Sequence, residues 1–293
     1  MKIKLAKHIG FCFGVRRAVN IAQDALTTGG RFFCLGPLIH SPQEVKRLSE
    51  KGLTIVKSID VLRKGDTLII RSHGLLPELI ESAARRGVRL VDATCPFVKK
   101  AQNICRMLNE EGFDVVVIGD KKHPEVKALV GFAGGEAVVV ENPKDLSRLK
   151  LKSGKIGILA QTTQSRHNFQ DLVSALLKKY NSEAGVGQIR IFNTICQDSA
   201  TRQANARKIS SVCDVILVIG GRNSANSKRL ANICREKVPK THHIEVADDI
   251  KPLWLGQGDL VGVVSGASTP DWIIKDVIRR LNSFRSNKKN PHR

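Results

Sequence analysis

The chain has 293 residues, 42% of them hydrophobic and 4% aromatic, with a formal net charge of +21. That length suits two or three small domains with real cores. The scarcity of aromatic rings argues against base-stacking platforms for nucleic acid, and no apolar run reaches the roughly 18 residues of a membrane span.

The N-terminal stretch MKIKLAKHIGFCFGVRR has no apolar core followed by a small-residue cleavage site, so the chain is expected in the cytoplasm. There its seven cysteines are expected to bind metal, catalyse or fill the core; a disulfide framework does not suit that compartment. The positive charge fits solubility, nonspecific attraction to nucleic acid, an anionic substrate or an acidic protein partner, and composition does not choose among them.

In chain order, a first short strand leads to Gly10-Phe11-Cys12-Phe13-Gly14, and Val15, Ala18, Val19 and Ala22 then mark one helix face. The run Phe32–Leu35 leads to Pro37-Leu38-Ile39-His40-Ser41, where Ser41 caps a helix with Pro42 in its first turn and Glu44 three residues on. Thr67–Ile70 leads to His73-Gly74, and Val88–Val91 to Cys95-Pro96 and a helix near Lys99 to Leu108. Val115–Ile118 leads to His123-Pro124-Glu125; Ala137–Val140 follows, and Ile156–Leu159 leads to Gln161-Thr162-Thr163 and a helix near Asn168 to Lys178. Ile189–Phe192 precedes Cys196, Val215–Ile219 precedes Asn223-Ser224-Ala225-Asn226-Ser227, and Leu260–Val264 precedes Ser268-Thr269-Pro270.

Runs such as DVVVIG and DVILVIG are continuous rather than alternating, the pattern of strands covered on both faces. Strands alternating with helices predict an α/β fold with mainly parallel sheets. No clean sequence repeat is present, but a looser one suggests three small α/β domains around a common centre. They are placed at 13–95, 96–192 and 193–281, with the 1–12 segment supplying the first strand and a loop, and 282–293 forming a basic flexible tail.

Ligands of open α/β sheets bind beyond the carboxyl ends of the strands. Cys12, Cys95 and Cys196 sit in such strand-end loops, whereas Cys34, Cys105, Cys213 and Cys234 fall in strand-like or helix-like stretches and read as core. No C-x-x-C occurs, so spacing leaves the three loop cysteines open between metal ligands and ordinary thiols. Three thiolates would leave one metal coordination position free. His40, His73 and His123 in their turns can bind zinc, donate hydrogen bonds to an anion or brace a loop. Ser224, Asn226 and Ser268, beside the Gly-rich turns IGGRNS and SGAS, fit an anion site at helix starts; the plainer alternative is helix capping. The absence of G-x-x-x-x-G-K-[ST] and of a convincing G-x-G-x-x-G excludes a P-loop and leaves a dinucleotide cofactor unsupported.

Together GFCFGVRRAV, IHS, RSHG, DATCPFV, GDKKHPEV, QTTQS, NTICQDSATRQ, GGRNSANS and SGASTPDW resemble the 4-hydroxy-3-methylbut-2-enyl diphosphate reductase family, from about Met1 to Leu281. The resemblance implies three α/β domains arranged as a trefoil around one [4Fe–4S] cluster, held by Cys12, Cys95 and Cys196 with one iron open to substrate. It implies a diphosphate site of His40, His73, His123, Ser224, Asn226 and Ser268, a proton relay through Glu125, and Thr162 beside the substrate hydroxyl. It further implies reductive removal of an allylic hydroxyl by two electrons and two protons, giving isopentenyl and dimethylallyl diphosphates as the last step of the non-mevalonate route. The family often carries Ser where this chain has Ala225, which removes one side-chain donor. A small acidic ferredoxin or flavodoxin suits the basic chain as electron donor, with neither a specific nucleic acid nor a membrane as partner. The rival readings are a zinc-dependent phosphate-ester hydrolase built on the histidines and a basic nucleic-acid-binding protein, the latter without any recognised module.

Overall fold

The computed structural model describes residues 1–149, 152–181 and 187–287. It divides into two compact units. One comprises Met1–Val15, His40–Glu44 and the chain from Gln197 onward; the other comprises Arg16–Ile39 and Val45–Cys196.

The first unit holds one four-stranded parallel sheet in the order β1-β12-β10-β11, from Lys2–Leu5, Leu260–Ser265, Val215–Ile219 and Thr241–Ile244. The second holds two more. One runs β3-β2-β4-β5, from Leu53–Val56, Phe32–Leu35, Thr67–Ile70 and Arg89–Asp92. The other runs β7-β6-β8-β9, from Val138–Val140, Asp114–Ile118, Lys155–Ala160 and Gln188–Phe192.

Helices follow the strands: α1 (Phe13–Leu26), α2 (Pro42–Glu50), α3 (Pro77–Arg85), α4 (Pro96–Glu110), α5 (Pro124–Phe132), α6 (Arg166–Asn181), α7 (Gln197–Ser210), α8 (Ala225–Arg235) and α9 (Asp271–Asn287). No helix among the described residues is long and apolar enough to cross a membrane.

The three sheets share one topology. Within each, the first strand lies inside the sheet, the second pairs on its outer side, and the third and fourth follow on the other side. In the first unit the fourth place is taken by β1, from the opposite end of the chain. A sheet that fills by adding strands to alternate sides has a switch point, and its strand-end loops diverge there to leave a crevice.

Continuous apolar strands are explained by cover on both faces. Along β10, Val215, Leu217 and Ile219 pack with Ile273, Ile274, Val277 and Leu281 of α9, while Ile216 and Val218 pack with Ile209 of α7 and Leu230, Ala231 and Cys234 of α8. Along β6, Val116 and Ile118 pack with Leu172 and Leu176 of α6, while Val115 and Val117 pack with Cys105 and Leu108 of α4 and Leu129 of α5. Removing one such leucine costs about 2–5 kcal/mol. In the remaining sheet Leu68 and Ile70 pack with Ala83 of α3.

Two readings from the sequence change. The strands β3 and β11 had no counterpart among the apolar runs, because LTIV and THHI are edge strands that carry polar residues on a half-exposed surface. The basic tail also begins later than expected: α9 is helical through Asn287, with Phe284 packed on the α9 core and Arg280 lying 4.8 Å over its ring. Residues 288–293 of that segment lie outside the described residues.

Candidate active site

The residues singled out in the sequence occupy equivalent places in the three sheets. The edge strands β1, β5 and β9 lead to Cys12, Cys95 and Cys196, each the residue immediately before a helix. Their neighbours β12, β4 and β8 lead to Ser268, His73 and Thr162. The next strands β10, β2 and β6 lead to Ser224 and Asn226, to His40, and to His123 and Glu125.

Each cysteine is tied by its backbone to the loop of the neighbouring strand. The Cys12 amide donates to the Ala267 carbonyl at 2.9 Å, that of Cys95 to Ser72 at 3.0 Å, and that of Cys196 to Thr162 at 2.9 Å. One pattern of backbone pairing therefore ties a cysteine to the residue before Ser268, to the residue before His73 and to Thr162 itself.

In the first unit, the Cys12 loop is fixed from several sides. The Gly10 amide donates to Ser265 Oγ at 2.8 Å, and the buried Arg202 guanidinium donates to the carbonyls of His8 and Ser265 while paired with Asp198 at 2.7 Å. Cys12 Sγ accepts the Val15 amide at 3.4 Å. Ser224 is the N-cap of α8 and accepts the Ser227 amide at 3.2 Å, which bears out the capping alternative for its oxygen and leaves its hydroxyl hydrogen to donate elsewhere. The Ser268 hydroxyl donates to the His40 carbonyl at 3.0 Å.

Asn226 carries the clearest electrostatic message of this unit. It is 4% exposed, and both Nδ2 and Oδ1 are buried with no hydrogen-bond partner. Burying an amide unsatisfied costs about 1–3 kcal/mol. Such a group at the start of a helix has the free donor and acceptor that a polar ligand or a water molecule would satisfy. The hydroxyl of fully buried Ser227, the last residue of the NSANS segment singled out in the sequence, is likewise unpartnered.

In the second unit, Glu125 and Thr162 form a closed pair. The Thr162 amide donates to Glu125 Oε1 at 2.6 Å and its hydroxyl to Oε2 at 2.9 Å. Glu125 is 1% exposed, and burial pushes its pKa up to about 7 against those two hydrogen bonds. His123 caps α5: its Nδ1 accepts the Glu125 amide at 3.2 Å, which places the proton of the neutral ring on Nε2. The rings of His73 and His123 meet edge-on, 5.4 Å between centroids. Gly74, at φ +80°, completes the His73 turn, and a Cβ there would lie 2.1 Å from Gln102 Nε2.

The Cys95 loop is braced by Asp92, whose carboxylate accepts from the Thr94 amide at 2.9 Å and from Lys99 Nζ at 2.8 Å. Arg17 donates to the Thr94 carbonyl at 3.2 Å. Burial raises the Cys95 thiol pKa, opposed by the amides of Phe97 and Val98 and by Arg17, while Glu125 adds to the rise. By contrast Cys34, Cys105 and Cys234 are fully buried and Cys213 is 7% exposed; burial pushes Cys34 and Cys105 up to about 12. None of the seven is in a disulfide, and only Cys12, Cys95 and Cys196 reach partial exposure.

Known proteins match this arrangement along the whole chain. A 4-hydroxy-3-methylbut-2-enyl diphosphate reductase of Geobacter sp. (strain M21) is 50% identical over 288 residues, covering 98% of this chain and 99% of that protein. The enzyme of the same name from Citrifermentans bemidjiense is 48% identical with the same coverage. A solved structure of (E)-4-hydroxy-3-methyl-but-2-enyl diphosphate reductase, described as the terminal enzyme of the non-mevalonate pathway, is 40% identical, with a TM-score of 0.69 over 96% of this chain and 99% of its own. The E-1-hydroxy-2-methyl-but-2-enyl-4-diphosphate reductase of Plasmodium falciparum is 26% identical, with a TM-score of 0.90 over 97% of this chain and 89% of its own. A family model described as LytB protein matches residues 3–282, and with these relatives it shows that the chain belongs to the LytB protein family.

Proposed function

We propose that this chain is a cytoplasmic 4-hydroxy-3-methylbut-2-enyl diphosphate reductase that takes the last step of the non-mevalonate route, giving isopentenyl and dimethylallyl diphosphates. The observation that carries this reading, beyond family membership, is the buried Glu125–Thr162 pair hydrogen-bonded through the Thr162 carbonyl to the amide of Cys196. On this reading Glu125 is a proton reservoir joined to the Cys196 loop through Thr162 alone.

The donor set fits an iron–sulfur cluster. Cys12, Cys95 and Cys196 are half-buried, outside any disulfide and immediately before helices, and an amide donates to Cys12 Sγ. These three thiolates would hold a [4Fe–4S] cluster, which would supply electrons one at a time and, with one iron left without a protein ligand, Lewis-acid help at the substrate alcohol.

The chain's own residues do the rest. Asn226, Ser224 and Ser268 donate to the diphosphate, as do His40, His73 and the Nε2–H of His123, and they orient the allylic end. Ala225 leaves one fewer donor, a loss of about 0.5–1.5 kcal/mol. Protonated Glu125 delivers a proton through the Thr162 hydroxyl, so that the hydroxyl departs as water. Two electrons and two protons are consumed per alcohol: the C–O bond breaks, a C–H bond forms at either end of the allyl unit, and one water leaves.

The same equivalence of strands supports the partition 13–95, 96–192 and 193–281, with 1–12 contributing to the third domain. A small-molecule allylic diphosphate and an acidic ferredoxin or flavodoxin are the partners.

Anaerobic purification with iron and sulfide counts, followed by turnover of the allylic diphosphate with reduced viologen, tests the reading. Bound iron and sulfide with formation of both isomers is expected. A colourless zinc protein free of sulfide would refute it.

A further inference from the structure

The second turn of α1 and the first turns of α4 present the same chemistry beside their cysteines. In Cys12-Phe13-Gly14-Val15-Arg16-Arg17 and Cys95-Pro96-Phe97-Val98-Lys99-Lys100, a phenylalanine stands at the first place after the cysteine in one and at the second in the other, with a valine at the third place and a basic pair at the fourth and fifth in both. Both phenylalanines face outward, Phe13 at 65% and Phe97 at 43% exposure. Neither α1 nor α4 has an acidic residue in its first turn.

In the second unit these features meet. Arg17 of α1 donates to the Thr94 carbonyl at 3.2 Å, the residue before Cys95. Around Cys95 stand Pro96, Phe97, Lys99 and Lys100 of α4, all exposed, with exposed Arg16 one residue from Arg17 on α1. Four basic residues and an exposed aromatic thus belong to the two helices tied to the Cys95 loop, and Asp92, paired with Lys99, offsets one of the four.

We infer that this patch of Arg16, Arg17, Phe97, Lys99 and Lys100 is the docking surface for a small acidic one-electron carrier protein. The inference rests on the reductase reading above. Electron transfer falls off steeply with distance, so a carrier must seat over a ligand that reaches the surface, and Cys95 is one of three partly exposed thiols. An exposed ring supplies the apolar anchor of a small transient interface, and the basic residues of the same two helices select an acidic partner and speed encounter. Two such carriers are oxidised by one electron each for every allylic alcohol reduced.

The test uses the cluster-loaded enzyme, a small acidic ferredoxin and reduced viologen. Calorimetric titration of the wild-type protein should show ferredoxin binding that weakens as salt rises past the Debye regime of about 8–10 Å. The R16E/K100E variant should bind about tenfold or more weakly at low salt. Its iron content and viologen-driven turnover should stay at the wild-type level. The milder R16Q/K100Q and F97S variants should move binding in the same direction by less. Salt-independent binding, or unchanged ferredoxin affinity in all three variants, overturns the surface. A wild-type protein inert with viologen overturns the reductase reading itself, and the docking surface with it.

Discussion

At the scale of single residues, Glu125 shows how burial makes chemistry. A carboxyl with two hydrogen bonds from Thr162 would ordinarily be more acidic, yet desolvation wins and its pKa sits near about 7. A proton donor must be protonated and willing to give its proton up, and in the role proposed for Glu125 that value serves both needs near neutrality. Turnover should therefore fall as pH rises through about 7. Glu125→Gln should remove that limb and lower kcat about 10²–10⁴-fold. A separate equilibrium follows from the same shift. The folded state holds this proton more tightly than the unfolded chain, whose carboxyl stays near 4.5. The contribution to stability is thus full below pH 4.5 and is lost as pH rises through about 7. Urea unfolding of the wild type and of Glu125→Gln should diverge in favour of Gln across that window, and parallel curves would contradict the shift.

The cysteines divide by the same logic. Cys95 is half-buried, just before α4, whereas Cys105, on α4 itself, is sealed against β6 and α5 with its thiol pushed up to about 12. Cys95→Ser should abolish bound iron measured after anaerobic purification. Cys105→Ala should keep the iron and cost about 1 kcal/mol of stability from lost packing. Equal iron loss in both would mean the ligands have been misassigned.

At the scale of elements, the start of α8 depends on two glycines as much as on its serines. Ser227 Oγ lies where a Cβ on Gly220 or Gly266 would fall, at 2.2 and 2.1 Å. The loops after β10 and β12 therefore close onto α8 only because neither residue has a side chain. Gly266→Ala should cost about 1–3 kcal/mol by overpacking. Ser227→Ala removes a buried unpartnered hydroxyl and keeps the backbone amide that Ser224 caps, so it should be near neutral. The double variant should recover most of the loss, a coupling that a thermal-melt cycle measures; strict additivity would show that the hydroxyl is not the obstacle.

This is also the scale at which the sequence was legible and then ceased to be. Strands such as VILVI and DVVVI were plain because helices on both faces demand an unbroken apolar run, and Ser41-Pro42 marked the start of α2. THHI and LTIV were not, because an edge strand is held by its ladder more than by its side chains. The strand-end loops were visible as positions, since Gly, Pro, His and Cys interrupt the apolar pattern there. The pairing of Cys196 with the Thr162 loop was not, because it depends on β9 lying beside β8, and strand order leaves no local trace. Family resemblance supplied the functional roles that the pattern alone left open.

At the scale of the whole molecule, the first five residues complete a sheet whose other strands lie more than 200 positions later in the chain. β1 pairs Ile3 with Val261 and Leu5 with Val263, and Met1 and Ile3 pack against the α9 face of that core. The segment KIKL is little buried in itself, so hydrophobicity does not explain its place. Its function in the fold is to occupy an edge and carry the chain into the Cys12 loop, which Gly10 and Cys12 then fasten to the end of β12. Deleting residues 1–5 should therefore leave both sheets of the second unit protected in hydrogen exchange, while β12 and the Cys12 loop lose protection. The exposed β12 edge should also promote concentration-dependent association. Because the loop loses its anchor before it loses its thiol, bound iron should fall even though Cys12 remains. Full protection of β12 in the truncated chain, with iron retained, would show that the three-stranded remainder positions the loop unaided.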